Sequence, residues 1–116
     1  MTDAMRDLGR RAAACRGWRW MEGMLAVRVE DGRKYRVNTV SLTSTAYVPD
    51  LTDFATRGCL LALVREAWEQ PLLGVAFDFD TGEWVVRSWN GSLLRKGFGD
   101  TEEAALVAAL EAAHDG

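Results

Sequence analysis

An α+β fold is predicted for this chain: an antiparallel sheet of about five strands packed with three helices, in the order α-β-β-α-β-β-β-α. Three observations carry that expectation. Apolar residues recur at helical spacing in three separated segments, apolar and polar residues alternate between them, and short Gly-bearing turns such as Asp31-Gly32 and Asn90-Gly91 join the alternating runs.

The first helix is expected over residues 3–15, where Met5, Leu8, Ala12 and Cys15 share one face and Arg6, Arg10 and Arg11 largely lie off it. Gly17 ends this helix and leads into Trp18-Arg19-Trp20-Met21. Leu25, Val27 and Val29 then alternate with Ala26, Arg28 and Glu30 as far as Asp31-Gly32. A two-residue loop there would mix the faces. A three-residue loop is expected instead, pairing Val29 with Tyr35 and Val27 with Val37, and setting Arg28 against Arg36 and Glu30 against Lys34 outside. Residues 38–51, rich in Ser and Thr, read as a loop or a poorly ordered edge.

Asp53 is the expected N-cap of a helix running to about Trp68, and its apolar residues cover so much of the circumference that it reads as the central helix. Gln70-Pro71 stops it. Val75, Phe77 and Phe79 mark the next strand, paired through an even loop that sets Phe79 against Trp84 and Phe77 against Val86. Asn90-Gly91 returns a further strand over residues 92–98. Asp100-Thr101-Glu102-Glu103 has the spacing of a capping box and opens an Ala-rich helix with Leu106, Val107 and Leu110 on its buried side; its alanines allow close approach to a sheet. One domain over residues 1–116 is expected, since the 48% hydrophobic content builds one core at this length.

The composition argues against several classes. The apolar run at residues 59–64 is cut by Arg65 and Glu66, far short of the roughly 18 residues a membrane span needs. Asp3 and Asp7 interrupt the N-terminal segment, which lacks the apolar stretch of a secretory signal, so a cytoplasmic protein with no membrane partner is expected. Cys15 and Cys59 have no paired spacing and no neighbouring histidine, and read as small buried hydrophobes. His114 is the one histidine. The expectation is a chain with no metal, no cofactor and no catalytic set. Val75-Ala76-Phe77-Asp78-Phe79-Asp80-Thr81 resembles the D-x-D-x-T strand of haloacid-dehalogenase phosphatases, but that chemistry needs a leading parallel strand rather than a late hairpin. The same aspartates fail as a calcium loop, because Gly82 and Trp89 stand where ligands belong.

Charge is unevenly placed. Net charge is −3, yet residues 1–36 hold nine basic and five acidic groups while the remaining eighty hold five basic and twelve acidic. Such a chain can turn a basic face to an acidic or phosphate-rich partner. The candidate binding surface is therefore Arg6, Arg10, Arg11, Arg16, Trp18, Arg19, Trp20, Arg28 and Arg36. Tryptophan and arginine suit a protein interface or the stacking and phosphate contacts of a nucleic-acid strand. The plainer alternative is that Trp18 or Trp20 caps the core while the arginines solvate a helix. Leu93 and Leu94 are adjacent, so both hairpin faces want cover, from the chain's own helices or from a second copy in a homodimer.

Three stretches taken together carry a resemblance: Gly17-Trp18-Arg19-Trp20-Met21; Pro49-Asp50-Leu51-Thr52-Asp53 with the helix from Gly58 onward; and Gly99-Asp100-Thr101-Glu102-Glu103-Ala104. They resemble small, functionally unassigned accessory proteins of tailed bacteriophages and prophages, some described as a phage α/β/α sandwich domain. Phe54 stands where that pattern has proline after the capping Asp. The resemblance implies a context, a phage protein that binds and inhibits a host enzyme or defence system in the manner of anti-CRISPR proteins, and it transfers no site residues. A nucleic-acid-binding accessory protein and a nucleotide-sequestering protein are the alternatives, the latter without a phosphate-cradling Gly-rich loop.

Overall fold

The computed structural model describes residues 2–38, 46–88 and 95–113. Three helices, α1 (Asp3–Ala13), α2 (Phe54–Trp68) and α3 (Glu102–Ala112), accompany six strands: β1 (Leu25–Arg28), β2 (Lys34–Arg36), β3 (Tyr47–Pro49), β4 (Leu73–Asp78), β5 (Glu83–Ser88) and β6 (Arg95–Gly99). The α+β class and the three helices are as expected. The single five-stranded sheet is not: the strands form two antiparallel sheets of three, ordered β2-β1-β3 and β4-β5-β6. The additional strand, β3, lies in the segment read as a loop or a poorly ordered edge, and it is an edge strand of the first sheet. Its Ser/Thr-rich approach hid Val48, which pairs with Val27 across the ladder. Asn90-Gly91, Leu93, Leu94, Trp89 and His114 lie outside the described residues.

Both hairpin registers differ from expectation for one physical reason. In each, a glycine at the last loop position takes the left-handed conformation, Gly32 at φ +71° and Gly82 at φ +74°. Each donates its N–H back to the strand end, Gly32 to the Arg28 carbonyl and Gly82 to the Asp78 carbonyl, at 2.8 Å. The first loop is thus four residues long, Val29–Gly32, instead of three, and the second keeps the expected even length but starts one residue earlier, as Phe79–Gly82. Val27 consequently faces Lys34 instead of Val37, Arg36 faces Leu25 instead of Arg28, and Phe77 faces Trp84 instead of Val86. Phe79 leaves the strand and sits in the turn.

The central helix is α3, not α2. It runs across all three strands of the second sheet and also packs against α1 and α2. Ala105, Leu106, Val107, Ala109 and Leu110 are buried on it, around a core that includes Leu8, Leu60, Leu63, Leu73 and Val86. Each large side chain among these contributes about 1.5–3 kcal/mol by leaving water. Alanines do permit close approach, because α3 passes directly over Gly97 of β6. Thr101, rather than Asp100, caps α3, accepting from Ala104 N.

Asp53 caps α2 as expected, accepting from Thr56 N at 3.0 Å, and the same carboxylate meets Arg36 Nη1 at 2.6 Å. The Arg36 guanidinium, with Thr56, holds the Asp53 carboxyl below the usual carboxylate range. Burial pushes Asp50 upward, but hydrogen bonds from Thr52 and Lys34 outweigh it and leave its carboxyl lowered as well. A carboxylate lowered on folding contributes stability that is complete above its unfolded value of about 4 and is lost as pH falls through the folded value. Thermal melts of Asp53→Asn are expected to lose less stability than the unmodified chain between neutral and acid pH. At neutral pH, Asp53→Ala is expected to cost about 1–2 kcal/mol, from the lost cap and a partly exposed ion pair.

Candidate functional site

The basic groups of the N-terminal region do not gather into one free patch. Arg6 pairs with Asp3 and Arg10 with Asp7, each one helical turn away on α1. Arg11 makes a two-pronged contact with Glu111 at the end of α3, at 2.6 and 3.2 Å. Arg19 meets Glu66 at 2.7 Å, and Arg28 is tied to Asp31 within its own turn. Arg36 donates to Asp53 and to the Gly23 carbonyl. Arg16 is exposed, with no ion pair among the described residues. The anchors for Arg36 and Arg19, Asp53 and Glu66, lie about 20 Å apart along α2, so these arginines spread over different elements. The asymmetry of charge along the chain is largely consumed internally, the basic first third clasping the acidic remainder through Arg11, Arg19, Lys34 and Arg36.

Trp18 and Trp20 are brought together, edge to face at 5.4 Å, but both are half-buried against the core. Trp18 Nε1 is buried and lacks a hydrogen-bond partner. An unmade bond of this kind costs about 1–3 kcal/mol, which offsets part of the packing lost when the ring shrinks, so Trp18→Phe is expected to lower the stability read from urea denaturation by less than about 1 kcal/mol.

The exposed aromatic residues lie elsewhere. Phe54 at the start of α2 is 82% exposed and Phe79 in the β4–β5 turn is 89% exposed. Phe54 forms one wall of a groove of about 440 Å³ whose apolar floor is Leu61, Val75 and Leu106 and whose rim carries Arg57, Gly58 and Glu102. Residues two apart on a strand share a face, so Val75 leads directly to Phe77. Phe77 stands 5.0 Å from Phe79 and 5.4 Å from Trp84, ring edge against ring face. Groove and aromatic cluster thus form one apolar track along β4.

Arg57 organises the rim. It bonds Glu103 at 2.7 Å and Glu102 at 3.2 Å, joining the N-termini of α2 and α3, and its guanidinium lies 4.8 Å from the centre of the Phe54 ring. Beyond Phe77 the surface turns acidic. Asp78 faces Glu83, and Trp84 faces Gly99, so Asp100 follows beside Glu83. Arg95 neutralises Asp78 at 2.6 Å; Asp80, Glu83 and Asp100 have no ion pair among the described residues.

Sequence reasoning missed this surface because it placed Phe79 in the ladder and treated Phe54 as a neutral departure. The signal present was Phe54 immediately after a capping Asp, a first-turn position that points away from the core here. Other chemistry is sparse. Cys15 donates to the Arg11 carbonyl, and burial pushes the Cys59 thiol up, away from the reactive thiolate. Among the described residues no three His, Cys, Asp or Glu side chains gather as metal ligands, and no helix is long and apolar enough to cross a membrane. Compared with known protein families, curated proteins and solved structures, the chain matches none.

Proposed function

We propose that this chain is a binding protein without catalytic activity, that its partner is another protein, and that the partner docks on the Phe54–Val75–Phe79 track. The observation that carries the proposal is the exposure of Phe54, which walls an apolar groove, and of Phe79, which packs on Phe77 two residues along β4 from the groove's Val75. Contiguous exposed apolar surface rimmed by polar groups marks interaction sites, and aromatic and Arg side chains are the usual anchors. The resemblance to small phage proteins supports a bacterial host protein as partner, held or inhibited in the host cytoplasm. The nucleic-acid and nucleotide-sequestering readings have less support, since Arg6, Arg10, Arg11, Arg19, Arg28 and Arg36 already face carboxylates that compete with phosphate.

The test is capture from bacterial lysate, with and without nuclease, by the unmodified chain and by a Phe54→Ala/Phe79→Ala variant. A stoichiometric host protein that survives nuclease and is lost with the two phenylalanines is the expected result, each ring supplying about 1–2 kcal/mol or more of binding. Recovery of nucleic acid alone, released by high salt and unchanged in the variant, would overturn the proposal.

A further inference from the structure

The four outer strands of the two sheets are not alike. An open edge invites pairing with another chain, and proteins blunt it with Lys or Arg, Pro, bulges or extreme shortness. Strand β2 is three residues long and carries Lys34 and Arg36, β3 is three residues long and ends in Pro49, and β6 carries Arg95 and Lys96 beside a bulge. Strand β4, Leu-Gly-Val-Ala-Phe-Asp over six residues, has none of these devices, and among the described residues only β5 pairs with it.

The pleat settles which backbone groups are offered. The Leu73 carbonyl accepts from Arg65 Nε at 2.7 Å, outside the ladder, whereas the Asp78 carbonyl is engaged on the β5 side by Gly82. Alternation therefore turns the N–H and C=O of Val75 and Phe77 outward. On the helix-covered face this edge borders the groove under Phe54. On the opposite face its far end carries Asp78, with Glu83 across from it on β5 and Asp100 a further strand away, while Arg87 lies at the other end, opposite Gly74. The two faces thus ask for different side chains.

We propose, resting on the reading that this track is a docking site, that β4 takes an extended segment of the partner by strand addition. The segment alternates apolar residues, which enter the groove against Leu61, Val75 and Leu106, with Lys or Arg, which reach past Asp78 toward Glu83 on β5. Main-chain bonds to Val75 and Phe77 provide affinity, and the alternation provides selectivity.

The probe is an acetylated octapeptide of alternating threonine and valine with its first two polar positions changed to lysine, beside a counterpart carrying glutamate there. Amide hydrogen exchange on the full chain is expected to slow at Val75 and Phe77 with the lysine peptide, and the glutamate peptide is expected to bind about tenfold more weakly. Val75→Pro removes an outward N–H that makes no bond to β5, and is expected to weaken the lysine peptide about tenfold with the circular dichroism spectrum kept. A Glu83→Lys variant supplies the charge test without touching β4, and is expected to abolish the preference. Unchanged exchange at Val75 and Phe77, equal binding of both peptides, or protection that grows with protein concentration in the absence of peptide, the mark of a second copy, would each overturn strand addition. Loss of the lysate partner in Phe54→Ala/Phe79→Ala alongside any of these would leave the docking proposal standing.

Discussion

Gly97→Ala is expected to destabilise the chain by about 3 kcal/mol or more, the upper end of what an added methyl costs in a packed interior. The sign is the informative part. Alanine within a strand usually gains about 0.5–1 kcal/mol over glycine, because glycine loses more backbone freedom on folding. Here a Cβ would lie 2.5 Å from the Ala105 carbonyl oxygen, 2.5 Å from Ala109 N and 2.9 Å from its Cα, all backbone atoms of α3 that cannot rotate away. Helix α3 would have to lift from β6, and that helix also holds Leu106 and Leu110 in the core. Gly58→Ala is the control. Gly58 lies inside α2 with nothing within 4 Å of a built Cβ, so it is expected to gain about 0.5–1 kcal/mol. Urea midpoints of the two variants moving in opposite directions would establish the α3–β6 approach; a neutral Gly97→Ala would refute it.

The helices were legible because each is specified locally. Asp53 caps α2 with its own carboxylate, and the Met5–Leu8–Ala12 stripe fixes the face of α1. The strands other than β3 were legible as strands but not in register, since the length and placement of a loop depend on one residue's dihedral angle. Once Gly32 and Gly82 occupy the last loop position, every pairing behind them shifts. Strand β3 has too little local signal to announce itself, and depends on β1 for its partners. The site was the least legible. Whether an arginine is free depends on where distant carboxylates arrive, and Glu111 reaches Arg11 from the other end of the chain. Local chemistry proposed an Arg/Trp patch; tertiary pairing spent most of its charge and left the phenylalanines outside.

Arg57→Ala is expected to cost about 2–4 kcal/mol, more than any exposed ion pair in the molecule, because the loss is not symmetrical. Arg57 is 20% exposed and Glu103 only 12%, and Arg57 Nη1 is the hydrogen-bond partner that carboxylate has. Removing the guanidinium strands a carboxylate in a place from which water is largely excluded. Removing both charges does not. Arg57→Met/Glu103→Leu is therefore expected to recover most of the loss, and a double-mutant cycle should return a coupling of about 1–3 kcal/mol between the two positions. Equal and additive losses would mean that the pair is solvated and carries no structural weight. The cycle also separates stability from docking. Arg57 lies over the Phe54 ring, so the apolar pair should restore the fold while leaving Phe54 without the cation that positions it, and partner capture is expected to stay impaired after the urea midpoint has recovered.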